Sequence, residues 1–179
     1  MKRGHKTKPL PYYTYDDYRQ WEGNWELVEG IPYAMAPSPL FTHQYIITQL
    51  LIQIGQQIEN CPEKCFVVTD LDWIISEDTV LRPDVVVICK EVKDYIKSPP
   101  EVIFEIVSKA TVQKDEVLKF GIYQSEKVSF YVLIYPELKK ARIFKLKNNK
   151  YEKIADCIDQ NFEFETVCKF NVNFGRLWY

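Results

Sequence analysis

Apolar residues recur along the chain at two spacings, and each spacing predicts a different kind of element. After Ser38-Pro39, six large aliphatic residues recur three or four positions apart, which is typical of the buried face of a helix. Residues 80–89 and 101–108 instead contain the continuous runs VVVIC and EVIFEIVS, which are typical of strands covered on both faces of a sheet. We therefore expect a core-facing helix of about five turns and two central strands. The six aliphatic residues are Ile46, Ile47, Leu50, Leu51, Ile54 and Ile58.

Helices and strands in the rest of the chain follow one another without strict alternation. The order favours a mixed α/β fold, in which a central mixed β-sheet is flanked by helices, and it disfavours a doubly wound sheet. An N-terminal helix-hairpin-helix segment precedes this sheet, and extra C-terminal strands follow it. In chain order, the further predicted elements are a capped helix from Thr14 to about Gly23, a hairpin of residues 25–28 and 31–35 around Glu29-Gly30, a β-rich segment at 66–75, a helix from Thr111 through about Glu126, strands at 129–135 and 141–147, a turn at Asn148-Asn149, and a strand from Lys150.

The composition is that of a folded protein without a membrane span. The 179 residues are 46% hydrophobic and 27% charged, a balance that lets a chain bury a core. We expect a flexible tail at residues 1–11 and a single domain at 12–179. No run approaches the roughly 18 apolar residues of a membrane span, and the basic start MKRGHKTKPLPYY leads into no apolar segment. These features predict a cytoplasmic protein with no membrane partner and no organic cofactor.

The charge balance restricts how this protein can bind a nucleic acid. A net charge of −2 argues against a nonspecific nucleic-acid binder, because such proteins carry an excess of cations against phosphate. Any DNA contact must therefore be local or assisted by a metal ion. Seven cations between Lys139 and Lys153 are candidates for such a contact. The alternative is that they only solvate a hairpin or protect its edge.

The five cysteines do not form a recognisable framework along the sequence. Their number is odd and their positions are scattered, so we expect reduced thiols. Cys61 and Cys65 are close enough to suggest half of a metal site. A zinc site is nevertheless disfavoured, because no second pair of Cys or His residues follows at a suitable spacing.

Two acidic residues interrupt the apolar patterns of the central strands. Glu105 shares a strand face with Ile103 and Val107, so its carboxylate points where apolar side chains point. Asp84 stands directly before the run VVVI, and Pro83 before it marks a strand start or a bulge. An ionised carboxylate in such surroundings needs a compensating partner.

The helix predicted after Glu105 carries a cation on its apolar side. On a helical wheel, Lys119 falls near the middle of the apolar arc, and Asp115 lies one turn before it. The long lysine stem could simply reach out to solvent. Alternatively, a carboxylate on the adjoining strands gives the ammonium group a buried partner.

Each of these charged residues also has an ordinary structural interpretation. Asp84 could be a turn residue, Asp115 a first-turn helix acid, and Glu105 and Lys119 a buried ion pair. Two acids that converge on one patch repel each other, however, and such an arrangement is retained where a cation, a metal or a shared proton offsets the repulsion. Oxygen ligands without Cys or His favour Mg²⁺ or Mn²⁺.

An ordered set of motifs resembles the Uma-type family of restriction endonucleases, a branch of the PD-(D/E)XK nuclease superfamily. The set extends from about residue 12 to 147, and no single member of it is specific. It comprises WELVEG at 25–30, PSPLFTH at 37–43, RPDVVV around Asp84, EIVS around Glu105 at a spacing of 105 − 84 = 21, and Asp115, Lys119 and Tyr123 on the following helix.

The resemblance implies a restriction endonuclease-like fold and assigns roles to individual residues. It makes Asp84 and Glu105 metal ligands for Mg²⁺ or Mn²⁺ and Lys119 the catalytic lysine. Glu26 matches an early acid of the family and becomes a further carboxylate ligand, although it could equally be an exposed hairpin charge. His43 matches the family's histidine, with a buried core histidine as its alternative. Tyr123 is interpreted as a packing residue whose hydroxyl has a partner.

Two positions depart from the general pattern of the superfamily. Val107 stands two residues after Glu105, where the superfamily usually has its lysine. In the Uma-type branch the lysine has moved to the helix, and Lys119 occupies the matching place. Lys109-Ala110 replaces the Pro-Ser that the branch usually shows after Ser108.

The implied activity is the Mg²⁺-dependent hydrolysis of DNA phosphodiester bonds by an Asp/Glu/Lys site. Two nicks on opposite strands need two sites, which makes a homodimer plausible. One alternative is a catalytically inactive nuclease-like module that binds nucleic acid or protein. Another is a structural domain with a buried Asp-Glu-Lys network, in which Glu105→Gln would sharply lower the stability.

Overall fold

The computed structural model describes residues 10–35 and 40–179. By the density of its internal contacts the chain divides into a smaller unit, Met1–Pro37 with Ile74–Leu81, and a larger unit, Ser38–Trp73 with Arg82–Tyr179. The single domain at 12–179 stays a prediction. Most of the expected tail at 1–11 lies outside the described residues, and so do Ser38 and Pro39.

Helices and strands follow one another in the mixed order that the sequence predicts. A π-helical segment at Lys114–Lys119 runs directly into the third α-helix, and short 3-10 helices occupy Pro136–Leu138 and Phe174–Leu177. No helix of the described residues is long and apolar enough to cross a membrane. The other elements are α1 (Tyr15–Tyr18), β1 (Trp25–Val28), β2 (Ile31–Ala34), α2 (Phe41–Ile58), β3 (Phe66–Thr69), β4 (Trp73–Ser76), β5 (Thr79–Leu81), β6 (Val85–Ile88), β7 (Val102–Ile106), α3 (Phe120–Ser125), β8 (Phe130–Tyr135), β9 (Lys140–Lys147), β10 (Lys150–Cys157), β11 (Asn161–Phe164) and β12 (Phe170–Asn173).

The smaller unit is built on a sheet with the strand order β2-β1-β5-β4. The predicted hairpin of β1 and β2 is present, and its turn residues Glu29 and Gly30 both have positive φ angles, as a tight two-residue hairpin turn requires. The predicted capping residue Thr14 donates its backbone N–H to the carboxylate of Asp17, 2.8 Å away. The helix α1 that follows ends at Tyr18 and is thus shorter than predicted.

A six-stranded sheet with the order β10-β9-β8-β7-β6-β3 forms the centre of the larger unit. Only β7 and β8 run parallel, and the π-helical segment with α3 supplies the crossover that a parallel pair requires. One face of the sheet packs with α2 and the strands β11 and β12 around a continuous apolar core. The helix α2 has 18 residues, which matches the predicted five turns.

Two predicted β segments each divide into two strands that belong to different sheets. The segment 66–75 becomes β3 and β4, because Asp70 has a positive φ angle of 51° and turns the chain. The segment 80–89 becomes β5 and β6, because Pro83 cannot donate to a ladder and the chain leaves the first sheet there. The second division corrects the prediction of one central strand at 80–89, whereas the first is consistent with the β-rich segment predicted at 66–75.

Four of the five cysteines are paired, which corrects the expectation of reduced thiols. Cys61 is bonded to Cys168 and Cys65 to Cys89, while Cys157 is free and buried. The two bonds join residues 107 and 24 positions apart, so the spacing along the sequence gave no indication of the pairing.

Candidate active site

Asp84 lies at the start of β6 and is fixed from several directions. Its Oδ2 atom accepts a hydrogen bond from the backbone N–H of Ile106, 2.7 Å away. Its backbone carbonyl accepts a bond of 2.6 Å from the hydroxyl of Thr69 on β3. β6 begins at Val85, directly after Asp84, and pairs with β7, so the carboxylate lies where β6 begins, beside β7. Ile106 directly follows Glu105 on β7, so Asp84 lies next to the strand that carries Glu105.

Glu105 occupies the middle of the sheet, as the strand pattern predicts. It lies on β7 between β6 and β8, and its side chain is 3% exposed. The Oε1 atom accepts hydrogen bonds from Nζ of Lys119 and from the hydroxyl of Tyr123, both 2.8 Å long. The buried carboxylate therefore has both a cation and a neutral donor on one oxygen.

Lys119 faces the sheet and not the solvent. Its side chain is 3% exposed, and its Nζ lies 2.8 Å from Glu105 and 3.9 Å from Oδ1 of Asp115. Both Asp115 and Lys119 belong to the π-helical segment, in which hydrogen bonds span five residues. Such segments are rare and occur frequently at functional sites. The predicted continuous α-helix is thus interrupted where the charged residues lie.

Aromatic residues enclose the ion pair of Glu105 and Lys119. Tyr123 is fully buried, stacks on Trp73 at a centroid distance of 5.8 Å, and contacts Tyr131 edge to face. The hydroxyl of Tyr131 donates to the backbone carbonyl of Asp115, 2.9 Å away. These rings exclude water from one side of the site, which strengthens the interactions between its charges.

His43 lies in the first turn of α2 and contacts Asp84. Its Nε2 atom is 3.2 Å from Oδ1 of Asp84. The other ring nitrogen, Nδ1, is buried without a hydrogen-bond partner among the described residues. A buried ring nitrogen without a hydrogen-bond partner is unusual for a core histidine. A water or a ligand oxygen at this place would supply the missing hydrogen bond.

Burial and the partners of Asp84 shift its pKa in opposite directions. Burial alone would raise this pKa, but the hydrogen bond and charge of His43, the charge of Lys119 and the N–H of Ile106 outweigh burial and lower it. Asp84 is consequently held in the ionised form. Conversely, burial would lower the pKa of His43, but the contact with Asp84 and the charges of Asp70 and Asp115 raise it.

Asp115 behaves differently from Asp84. Burial raises the pKa of Asp115 above its ordinary value, although Lys119 and the hydroxyl of Thr111 act in the opposite direction. Burial also raises the pKa of Tyr131 well above its usual range, and the charge of Glu105 adds to this effect. The site thus combines carboxyl groups in different environments with one lysine, an arrangement that separates their proton affinities.

The donor set fits a hard divalent cation that keeps part of its water shell. Three acids, Asp84, Glu105 and Asp115, lie near one lysine and one histidine, and carboxylate oxygens are ligands that Mg²⁺ prefers. In the part of the chain that the structure describes, these acids do not form a group of three ligands within 4.8 Å of one another. Mg²⁺ is commonly bound by one or two carboxylates together with waters, which suits this arrangement.

Glu26 lies on β1 of the smaller unit and is fully buried. Its alternative interpretation as an exposed hairpin charge is therefore wrong, because the strand turns this residue inward between Trp25 and Leu27. Its role as a ligand stays a prediction.

The cations of residues 139–153 are largely paired with acids. Lys140, Arg142 and Lys153 all approach Asp156 at 3.1–3.4 Å. Lys147 pairs with Glu152 at 2.9 Å. Three cations share the single carboxylate of Asp156, so the hairpin β9–β10 keeps an excess of positive charge. Both interpretations of these cations, contact with phosphate and solvation of the hairpin, stay predictions.

Some residues that shape the site carry no local signal in the sequence. Tyr131 follows the pattern of an ordinary buried strand, and only its contact with Asp115 reveals a polar function. Asp70 follows β3 in the run TDLD, and its charge acts on His43. A pair of acids directly after a strand could have drawn attention to this turn.

Comparison with known proteins identifies the family. A sequence model described as "Uma2: Putative restriction endonuclease" matches residues 15–164. One solved structure with a similar fold is that of a "putative nuclease belonging to DUF820" from Anabaena variabilis, with a TM-score of 0.75 and 16% identity over 92% of this chain and 97% of that chain. A search of the curated proteins found no match. Because the family match covers most of its length, this chain belongs to the Uma2 family of restriction endonucleases and has the restriction endonuclease-like fold.

Proposed function

We propose that this protein is a metal-dependent endonuclease that hydrolyses DNA phosphodiester bonds at Asp84, Glu105 and Lys119. The observation that carries the proposal is the position of Lys119, whose Nζ lies 2.8 Å from the buried carboxylate of Glu105. Asp84 is hydrogen-bonded to Ile106, the next residue along β7. Asp84, Glu105 and Lys119 come from three separate segments, and the charge of Lys119 also acts on Asp84, which supports a shared site for phosphodiester hydrolysis.

Asp84 and Glu105 are the residues that would hold Mg²⁺ or Mn²⁺, together with a strand carbonyl. When bound, the cation would polarise the phosphate and lower the pKa of a water molecule. Asp84 is suited to this role because His43, Lys119 and Ile106 keep it ionised. His43 is a positioning residue in this proposal, since it contacts the carboxylate of Asp84 and fixes its orientation.

Lys119 has two tasks in the proposed reaction. Before the cation binds, its ammonium group compensates the buried carboxylate of Glu105 and so prevents an unpaired charge in the core. During hydrolysis it donates a hydrogen bond to the attacking water and stabilises the negative charge that develops on the phosphate. The hydroxyl of Tyr123 remains on Glu105 and keeps that side chain in place.

Glu26 is proposed as a further carboxylate of the site, on the basis of its burial and of the motif WELVEG. Carboxylates are among the ligands that a hard divalent cation prefers. We further propose a homodimer that acts on double-stranded DNA in the cytoplasm, because two cuts on opposite strands need two sites.

Plasmid nicking tests the proposal directly. The purified chain is incubated with supercoiled DNA in Mg²⁺, in Mn²⁺ and in a chelator, and an RNA of similar length serves as the alternative substrate. We expect nicking with either metal and none with the chelator. Asp84→Asn, Glu105→Gln and Lys119→Met should each abolish it, and Glu26→Gln should reduce it. Asp16→Asn and Lys109→Met, which change exposed residues, should cut normally.

Each alternative has its own result in this experiment. Nicking that survives in all three variants of the site would refute the assignment of these residues. DNA binding without nicking by the parent chain would instead identify an inactive nuclease-like module. Cleavage of RNA alone would overturn the DNA substrate but leave the site intact.

A further inference from the structure

Four cysteine sulfurs meet at one place in the larger unit, apart from the acidic residues described above. The Sγ atoms of Cys61, Cys65 and Cys168 all lie within 4.8 Å of one another. Cys65 is bonded to the fourth, Cys89, whereas Cys61 is bonded to Cys168. The two disulfides therefore lie side by side and form a cluster of four sulfurs, to which Cys89 belongs through its bond to Cys65.

The register of the central sheet brings one pair of these cysteines together. Strands β3 and β6 are antiparallel, and Phe66 is paired with Ile88. Cys65 directly precedes Phe66, and Cys89 directly follows Ile88. The two cysteines are thus opposite each other at the end of the ladder, whether or not a bond joins them.

Contacts between a helix and a strand bring the other pair together. The side chain of Gln57 donates to the carbonyl of Asn171 at 2.7 Å and accepts from its N–H at 2.8 Å. These bonds fix the last turn of α2 on β12. Cys61 follows the end of α2, and Cys168 precedes β12. The fold itself therefore assembles all four sulfurs from separate segments.

We propose that the reduced form of this cluster binds one Zn²⁺ ion through the thiolates of Cys61, Cys65, Cys89 and Cys168. Four sulfur ligands with no carboxylate favour a soft or borderline metal and not Mg²⁺. Four protein ligands also leave no open position, so the site is structural and not catalytic. It links the end of α2, the edge strand β3 and the hairpin of β11 and β12. The proposal does not depend on the nuclease activity.

The dimensions of the cluster suit tetrahedral zinc. With Zn–S distances of about 2.3 Å, the sulfurs of a tetrahedral site are about 3.8 Å apart. The observed limit of 4.8 Å for three of the sulfurs is compatible with this value after a small adjustment of the side chains. Cys61 and Cys65 are separated by three residues, a spacing found in structural zinc sites. The second pair comes from distant parts of the chain, which is why the sequence pattern did not reveal it.

Burial and charge around the cluster favour a metal thiolate. Cys168 is 2% exposed, and the other three cysteines are half-buried against the apolar core. A zinc ion with four thiolates carries a net charge of −2, which needs cations nearby in such surroundings. Three of the four cysteines have a lysine as their direct neighbour in the sequence, namely Lys64, Lys90 and Lys169. Lys90 also pairs with Glu101, whose carboxylate accepts a hydrogen bond from the backbone N–H of Cys89.

The conversion between the two states of the cluster balances. Each disulfide accepts two electrons and two protons from a dithiol reductant, which is itself oxidised to a disulfide. The four resulting thiols then release four protons as they bind Zn²⁺. In a reducing compartment the zinc form is accordingly the expected one, whereas the two disulfides are the oxidised form without metal.

Metal analysis of the full-length chain tests the proposal without any substitution. The protein is purified with a phosphine reductant and without chelator, and zinc is measured by elemental analysis and native mass spectrometry. We expect about one zinc ion per chain, lost on oxidation to disulfides. Maleimide labelling followed by peptide mapping should show that zinc protects the four clustered cysteines, while the labelling of Cys157 is unchanged. A reduced, folded chain that binds no zinc, or zinc that protects none of these thiols, would overturn the proposal.

Cobalt substitution tests which residues bind the metal. Titration of the reduced, zinc-free chain with Co²⁺ should produce the intense visible bands and the thiolate charge-transfer band of a tetrahedral site. Cys89→Ser and Cys61→Ser should weaken Co²⁺ binding by at least about tenfold and alter the bands. Cys157→Ser is the matched control, since it removes the one cysteine outside the cluster, and it should leave the spectrum unchanged. An unchanged spectrum in Cys89→Ser would refute the tetrathiolate.

Discussion

The ammonium group of Lys119 and the carboxylate of Glu105 form an ion pair of 2.8 Å in which both side chains are 3% exposed. Such a pair is costly to bury, and removing one partner leaves an uncompensated charge in the core. Glu105 also accepts a hydrogen bond from Tyr123, whereas Lys119 also approaches Asp115. The two members of the pair therefore differ in what remains when the other is removed.

We expect Lys119→Met to destabilise the protein more than Glu105→Gln. Loss of the lysine leaves Glu105 and Asp115 as buried acids without their cation, at a cost of about 3–5 kcal/mol. Loss of the carboxylate leaves Lys119 close to Asp115, so the cost should be smaller. Combining both changes should recover part of the loss, because it removes the pair as a whole. Urea unfolding of the metal-free variants measures these values.

Lys109→Met provides the matched control for this series, since Lys109 is 86% exposed and pairs with Glu137 on the surface. Its effect should stay within about 0.5 kcal/mol. Equal losses for Lys119→Met and Lys109→Met would contradict a buried ion pair.

Moving the lysine back to the strand should restore cleavage. Position 107 lies two residues after Glu105 and on the same strand face, and Val107 is 8% exposed. We expect Lys119→Met to lower the cleavage rate by about 10²- to 10³-fold. The double variant Val107→Lys with Lys119→Met should regain part of that rate in the plasmid assay. If it remains as inactive as Lys119→Met while folded, an amine in the pocket is not sufficient.

Tyr123→Phe should show how much the hydroxyl contributes to stability apart from the ring. The ring keeps its stacking on Trp73, but Glu105 loses the hydrogen bond from this hydroxyl. A hydrogen bond to a charged group contributes about 1.5–3 kcal/mol, and urea unfolding should show a loss of this size. Tyr135→Phe removes an exposed bond to Glu116 and serves as the control, with a smaller expected loss. Identical losses in both variants would argue that the bond to Glu105 contributes no more to stability than an exposed hydrogen bond does.

The stability of the metal-free protein should fall as the pH rises through the pKa of His43. The folded state raises this pKa above its ordinary value of 6.5. The contribution of the protonated His43 is therefore fully present below pH 6.5 and is lost at higher pH. Proton NMR can follow the titration, and Asp84→Asn should lower the pKa of His43.

The chain contains only one other histidine, His5, so a His5→Gln variant assigns the signals. An imidazole of His43 that titrates at or below 6.5 would contradict the proposed contact with Asp84. Removal of His43 as His43→Gln should abolish the corresponding slope in the unfolding free energy.

The residues whose charge contradicted a local pattern were the ones that the sequence located best. Glu105 interrupts an apolar strand and Lys119 an apolar helix face, and such conflicts are informative because a buried charge requires a partner. The contact between them follows from a short crossover between β7 and β8. By contrast, nothing local indicated that Tyr131 would hold the carbonyl of Asp115. Its strand pattern is satisfied by any large apolar side chain.

The sequence could not show which distant segments become neighbours in the fold. Cys65 and Cys89 meet because of strand register, and Cys61 and Cys168 meet because α2 packs on β12. Hydrophobic periodicity identifies elements but not which of them become neighbours. The π-helical segment was missed for a related reason, since its wider turn preserves the apolar face on which the helix prediction depended.

Because the lysine lies on the π-helical segment at Lys114–Lys119, the strand β7 does not have to be followed by a lysine at position 107. Position 107 holds a valine whose backbone N–H bonds to the carbonyl of Ile134, so the end of β7 can pack like any central strand. The amine and the acid then belong to different elements, and their buried ion pair couples them. Searches for the strand motif alone would consequently pass over chains that are built in this way.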